Sequence, residues 1–467
     1  KLTVLYFSGA TSIILGRSHS HEVAMSSLYE EFQDLLDSGS VNVAQFAASL
    51  PAEWVEEALL ATGKSSMRRR KLPAESAVWL VIGMGLFADR AICTVVDHLD
   101  LVLPGVAAFA RSAVTKSRYR LGVAPLAHLF AHSAAAWAKQ TITHAYRGLD
   151  LYAVDGVTLR VADSDENFAH FGKPGGRGGA SDAGYPQARC ACLLNVGSRL
   201  IVGASFGPYT TSEQKLAETL WGEIPDRSLT LLDRGFVSYA TFVRLHTGDN
   251  RHFLVRMRAD LRLYDLEDLQ DGSLMASIRP STKLRARCPE IRPEIRVRVI
   301  AYEHEGGEPS RIVTSLLDHE EFPAQELVEL YHQRWEIELA YDEVKTHMLD
   351  RKESLRSLLP DGVNQEIWGI LIAYNLVRRE MAIAAEAASL PPHRISFRLS
   401  LLEVRNLIFL AVMTRSPGTL PAHIKDLPRK VTSLVLPERR TERRYPRHVK
   451  IKMSNFLRNR GKRCAPI

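Results

Sequence analysis

LDLYAVDGVTLRVAD (149–163) is the stretch on which the fold of this chain turns. Up to about residue 148, apolar residues recur at helical spacing. Here the pattern changes to alternation rich in β-branched residues, which marks a strand. The strand carries an acid at its centre, Asp155, between Val154 and Gly156. A carboxylate inside an apolar strand is costly to bury unless it is paired or bound to a metal. A surface acid would need no such explanation.

Reading onward, ENFAHFGKPGGRGGASDAGYPQ (166–187) is a Gly-rich loop, and ARCACLLNVGSRLIVGASFGPY (188–209) reads as a hairpin turning at NVGSR. SEQKLAETLWGEI (212–224) predicts a helix with Ser212 as its N-cap. SLTLLDRGF (228–236) is a short apolar strand leading into Asp233, and ATFVRLHTG (240–248) is a helix. Alternation returns over about 249–319 as a β-rich insertion. A long helix then runs from after Pro323 to about Met348, and IWGILIAYNLVRREMAIAAEAA (367–388) is another. Three antiparallel strands followed by a parallel one predict an α/β fold with a ribonuclease H-like core over 149–390.

Upstream, 25–148 reads as an all-helical N-terminal domain. PAEWVEEALLATG (51–63) has Pro early and Gly at its end. KSSMRRRKLP (64–73) is a basic linker. Helices at 75–87, 88–100 and 111–121 follow, the last two resembling a helix–turn–helix with a long turn. Lys116, Arg118 and Arg120 on its second helix are candidate DNA contacts, although basic residues on a helix are more often a solvated face. Residues 1–24 lack the pattern of a signal peptide and are set aside as a non-native or disordered leader. Residues 391–467 form a helical C-terminal region and a basic tail.

The 46% hydrophobic and 24% charged composition excludes global disorder. The longest apolar run, Ala77 to Phe87, falls well short of the roughly 20 residues a bilayer requires. No membrane partner is expected. Five scattered cysteines argue against a disulfide framework and for a reducing, cytoplasmic setting. There is no CxxC or HExxH zinc pattern. The net charge of +7 is uneven. From Arg429 onward 13 Lys or Arg face two Glu, so the tail carries +11 and the rest of the chain −4. Such a tail suits a polyanion, most often nucleic acid, or is simply solubilising.

Three acids carry the chemistry: Asp155 in the first strand, Asp233 at the exit of the later one, and Glu338 in the long helix. Carboxylate oxygens suit Mg²⁺, and two such ions can clamp the attacking and leaving oxygens of an in-line phosphoryl transfer. Mn²⁺ would substitute. For Asp233 the competing reading is a loop cap at a strand end. On the helix, Tyr331, Arg334, Glu338 and Lys345 fall within a stripe roughly 60° wide at 100° per residue. Glu338 would ligate metal while Tyr331, Arg334 and Lys345 contact DNA phosphate. An exposed ion-pair face is the bland alternative. GKPGGRGG (172–179) lacks the P-loop pattern. Asp163 and Asp165 stand at a strand end, where acids are ordinary. Cys190 and Cys192 read as small core residues, and Trp335 and Trp368 as packing residues.

The Y-x2-R-x3-E-x6-K spacing resembles the signature of the insertion-element-4 family of bacterial transposases. DGVTLRVADSDEN (155–167), GYPQ (184–187), LTLLDRGF (229–236), RWEIELAYDEVK (334–345) and LRSLLPDGVNQEIWGILIAYNLVR (355–378) also resemble that family. RRRKLP (68–73) and RSAVTKSRYRLG (111–122) look like its helical terminal-binding domain. The resemblance implies an Asp155–Asp233–Glu338 triad, with the β-rich insertion between the second Asp and the Glu. It further implies cleavage at the ends of an insertion sequence, strand transfer into target DNA, double-stranded DNA as partner and a homodimer on DNA. A nuclease that does not join strands, or a catalytically silent DNA-binding regulator, is the alternative.

Overall fold

The computed structural model describes residues 50–65, 72–99, 111–140, 145–174, 184–303, 310–350, 354–414 and 430–436. The leader at 1–24, the helix expected from Met25 and the basic tail beyond 436 lie outside these residues. So does the turn of the expected helix–turn–helix.

Five helices come first: α1 (Ala52–Ala61), α2 (Ala74–Leu86), α3 (Ile92–His98), α4 (Arg111–Leu121) and α5 (Ala124–Gln140). Then follow β1 (Ala145–Tyr146), β2 (Leu149–Arg160), α6 (Asp165–Phe171), β3 (Gln187–Asn195), β4 (Ile201–Pro208), α7 (Glu213–Ala217), β5 (Ser228–Leu232), α8 (Tyr239–Leu245) and β6 (Arg251–Arg256). β7 (Tyr264–Asp268), β8 (Leu274–Ile278), α9 (Thr282–Arg287), β9 (Ile295–Tyr302) and β10 (Ser310–Thr314) make up the next stretch. The chain continues through α10 (Ala324–His332), α11 (Trp335–Asp342), α12 (Pro360–Ala387) and α13 (Phe397–Thr414).

The strands form a single mixed sheet in the order β4-β3-β2-β5-β6-β10-β9-β8-β7, with β1 on β2. β2, β3 and β4 pair antiparallel. β5 pairs parallel with both β2 and β6. Every residue of β5 (SLTLL) is buried, as befits a central parallel strand covered on both faces. β6, which opens the stretch expected to be an insertion, therefore belongs with the parallel strands. β7–β10 prolong the same sheet by antiparallel pairing. The last strand, YDLED, is charged and mostly exposed, a composition that discourages edge-to-edge association.

Helices α1–α5 are not insulated from the sheet. One continuous apolar core takes in α1, α2, α5, the sheet and α12. All residues from Ala77 to Leu86 are buried, because α2 crosses α12 where two glycines meet. A Cβ on Gly85 would stand 2.7 Å from the Gly369 carbonyl oxygen, and one on Gly369 would overlap the Val81 carbonyl. The expected boundary at 148 thus cuts through a shared core. No helix among the described residues is long and apolar enough to cross a membrane.

The single long helix expected from 323 to 348 is broken. α10 ends at His332, and the chain passes through Gln333 and Arg334 with i→i−3 bonds, such as Arg334 N–H to the Tyr331 carbonyl at 3.1 Å. α11 then runs eight residues before a π-helical stretch, Glu343–Met348. Angles computed for one uninterrupted α-helix do not carry across either break.

Candidate active site

Asp155 and Asp233 are neighbours by construction. The last register pair of the parallel strands β2 and β5 is Val154 with Leu232. Each acid stands one residue beyond it, on strands about 4.8 Å apart. Asp155 is largely buried. Burial pushes its carboxyl up to about 6, against the lowering effect of the Gly156 N–H and of Arg334. Gly156 N–H donates to Asp155 Oδ1 at 2.8 Å. The Tyr341 hydroxyl, from α11, donates to the Asp155 carbonyl at 2.7 Å. Asp233 does perform the capping role weighed for it: Oδ1 accepts the Arg234 N–H at 2.7 Å at the start of a 3₁₀ turn. One oxygen in a cap leaves the other for a ligand, so the two roles are compatible.

Glu338 reaches this edge through Arg334. The Arg334 guanidinium donates to Glu338 at 2.7 Å and to Asp155 at 3.3 Å, joining the helix acid to the strand acid. Among the described residues no three His, Cys, Asp or Glu side chains converge as a ready-formed cation cage. Instead an arginine supplies the counter-charge between two of the three acids. The donor set is nonetheless right for a hard divalent cation, being carboxylate oxygens on rigid strand ends with a third acid on the facing helix.

The other expected contacts fall differently. Tyr331 is buried, and its hydroxyl donates to the Leu232 carbonyl at 3.2 Å. Its expected phosphate contact is corrected to a packing role that pins α10 to the strand leading into Asp233. Lys345 is half-buried on the π-helical stretch, near Cys190 and Arg160, and burial lowers its ammonium from the usual range. On α4, Lys116 and Arg120 are exposed. Arg118 is not: it donates to Gln365 Oε1 at 3.2 Å, Ser357 Oγ at 2.9 Å and the Gly362 carbonyl at 3.0 Å. Its expected DNA contact is therefore corrected to an internal tie between α4 and α12. The reason is register, since Arg118 lies on the buried side of α4 with Val114 and Leu121.

Ser164 caps α6 by accepting the Asn167 N–H at 3.2 Å, which puts Asp165 in the first turn of that helix. Cys190 and Cys192 are buried, with burial pushing the Cys192 thiol up to about 12. Trp368 packs between Phe130 and Phe206, at centroid distances of 5.0 and 4.8 Å. Trp335 packs only in part: it is 48% exposed at the start of α11.

Sequence reasoning missed one acid. The Glu213 side chain lies over Gly156 where a Cβ would otherwise be, and its charge helps raise Asp155. Gly156 was the available signal, because glycine inside a strand marks close approach by another group.

Comparison with known proteins places the chain in a family. Residues 40–131 match the family described as "Insertion element 4 transposase N-terminal", and residues 146–376 match "Transposase DDE domain". The chain is 35% identical over 404 residues to the transposase InsG for insertion sequence element IS4 of Escherichia coli (strain K12), covering 86% of this chain and 90% of that protein. It is 35% identical over 215 residues to the putative transposase InsZ of the same organism, covering 45% of this chain and 70% of that one. Among solved structures it is similar to a piggyBac transposase in a synaptic complex with hairpin DNA, at 10% identity and a TM-score of 0.43, over 88% of this chain and 86% of that one. From the two family matches and the length of sequence shared with InsG, the chain belongs to the insertion element 4 family of DDE transposases.

Proposed function

We propose that this transposase cuts and joins DNA at a ribonuclease H-like core with Asp155, Asp233 and Glu338 as its catalytic acids. The observation that carries this is the placement of Asp155 and Asp233 side by side at the ends of parallel strands, with Glu338 tied to Asp155 through Arg334. A divalent cation, Mg²⁺ or Mn²⁺, held by these carboxylates would supply the charge that stabilises the phosphorane-like transition state and favours ionisation of the attacking hydroxyl. The residues of the chain do the rest. Arg334 is free to exchange a carboxylate for a phosphate oxygen when charge at the site is rebalanced. Lys345, half-buried near Cys190 and Arg160, would add a second cation for the DNA backbone. In the first step water attacks the phosphate at the element's end, one P–O bond forms and one breaks, and a 3′-OH is left. In the second step that 3′-OH attacks a target phosphate by the same exchange.

The test is cleavage of DNA bearing the element's ends in the presence of Mg²⁺. Asp155→Asn, Asp233→Asn and Glu338→Gln should each lower the rate at least a hundredfold while retaining end binding. Three variants that cut as fast as the parent would overturn the reading. A joined product separates a transposase from a nuclease that does not join strands, and any metal-dependent cut excludes a silent regulator. We further infer that α1–α5 contribute to end binding through exposed Lys116 and Arg120, and that two copies act together because two ends must be paired. Lys116→Ala/Arg120→Ala should weaken binding to end DNA more than to random duplex, and equal loss on both would mean phosphate contact only.

A further inference from the structure

Glu338 sits on a helix with little stiffness of its own. α11 is eight residues long, entered through a 3₁₀-type turn and left through a π-helical stretch. Something must set its rotation. At about 100° per residue, Glu336 lies roughly 160° away from Glu338, on the reverse face of the helix, and Glu343 opens the π-helical stretch that follows. Both are held. Arg199, from the turn between β3 and β4, pairs with Glu336 and donates to Glu343 Oε1 at 2.7 Å. Arg378, from α12, pairs with Glu343, and the Tyr374 hydroxyl donates to Glu343 Oε2 at 3.1 Å. The guanidiniums are almost wholly buried, with side-chain exposures of 5% for Arg199 and 1% for Arg378. Two cations and two anions make the cluster neutral.

The anchors are fixed independently of the helix. Arg199 occupies the left-handed region at φ 60°, a conformation unfavourable for a residue with a Cβ. Its turn is braced by Asn195, whose Oδ1 accepts the Ser198 N–H at 3.0 Å and its hydroxyl at 2.9 Å. α12 is locked to β4 by Asn375, which accepts the Ile201 N–H at 2.9 Å and donates to the Ile201 carbonyl at 2.7 Å. The helix that carries Glu338 is therefore gripped from behind by two arginines on rigid elements, at the point where its hydrogen bonding changes from α to π.

We propose that Arg199 and Arg378, acting through Glu336 and Glu343, are positioning residues for Glu338: the buried cluster sets the rotation of α11 and so aims the third acid at Asp155 and Asp233. This rests on the triad reading above. Glu336 and Glu343 do not touch the substrate. Their effect is on how readily the three acids close on a cation and on the rate that follows.

The experiment compares Glu336→Gln, Arg199→Lys and Arg199→Met in the full-length protein, with Glu338→Gln and Arg298→Met alongside. Arg298 pairs with Asp271 in the antiparallel extension of the sheet and serves as a control for losing a buried ion pair. Three quantities are read: melting temperature, metal-free binding to end DNA, and Mn²⁺ binding to the protein–DNA complex, from the resonance signal of free Mn²⁺. Cleavage rate is the fourth. Glu336→Gln should leave end binding within twofold, raise the Mn²⁺ concentration for half-saturation about tenfold and slow cleavage at least tenfold. Arg199→Lys should recover part of what Arg199→Met loses. Should Arg199→Met not fold, Glu336→Gln, which keeps the side-chain shape, decides alone. Parent-like Mn²⁺ binding in Glu336→Gln, or a loss no greater than that of Arg298→Met at equal melting temperature, overturns the proposal. A dead Glu338→Gln beside a parent-like Glu336→Gln removes the positioning role alone, whereas an active Glu338→Gln removes the triad reading itself.

Discussion

The residue whose absence of a side chain matters most is Gly156. It follows Asp155, the first acid of the proposed triad, in a strand, and the Glu213 side chain fills the space above it. Gly156→Ala sets a methyl against that carboxylate. Overpacking of this kind costs about 1–3 kcal/mol, measured by chemical denaturation. Adding Glu213→Ala should restore most of that stability, and failure to do so would locate the strain in the strand. His252 offers a second test at this scale. It is partly buried, 2.8 Å from Asn250 Oδ1 and 3.2 Å from Ser315 Oγ, and burial followed by the nearby His246 lowers its pKa from 6.5. The neutral ring is the form that folds. Its contribution is therefore complete above pH 6.5 and is lost as pH falls below it, while the unfolded chain takes up the proton first. His252→Gln should flatten the acid side of the stability curve in that window and leave it unchanged above pH 7.

At the scale of elements, the sequence displayed strand acids more faithfully than helix angles. Asp155 and Asp233 were legible because alternation and apolar runs locate strand centres and ends, and the parallel pairing of β2 with β5 does the rest. The stripe on the long helix was not, because the 3₁₀-type turn at Gln333–Arg334 and the π-helical stretch after Asp342 leave no mark in periodicity. Arg334 still meets Glu338, since the i,i+4 relation survives the helix start, whereas Tyr331 turns inward. Trp335, read as a packing residue, opens α11 beside Arg334 and leaves about half of its surface to solvent. The crossing of α2 with α12 was written in two helical glycines, whose spacing against each other only the fold reveals. Gly369→Ala should destabilise the protein by about 3 kcal/mol, with an unchanged denaturant m-value if the crossing is local to one cooperative core. A change below 0.5 kcal/mol would mean the helices separate at little cost.

The molecule as a whole joins its helical N-terminal part to the sheet by more than apolar contact. Arg118 reaches from α4 to Ser357, Gly362 and Gln365, and Arg356 reaches back to the carbonyls of Met84 at 2.6 Å and Arg90 at 2.8 Å. Arg118→Met should therefore lower global stability by about 3 kcal/mol and alter DNA binding only as far as folding is lost. The opposite pattern is expected of the C-terminal cations. Residues after Pro437 carry 11 Lys or Arg against two Glu. The body of the chain up to Pro437, by contrast, carries a net −2 and includes three acids proposed to work beside phosphate. A duplex approaching that body meets repulsion that the cationic segment offsets, and each phosphate neutralised releases counterions, steepening the salt dependence by about 0.9 per contact. Truncation after Pro437 should lower affinity for random and end-bearing duplex alike, and should make the slope of log affinity against log salt shallower by several units. It should leave the preference for end DNA, proposed to lie on α1–α5, within about threefold, a change under 1 kcal/mol. An unchanged slope would show that those cations do not touch DNA and that end binding draws its charge from Lys116, Arg120 and the edge of the sheet alone.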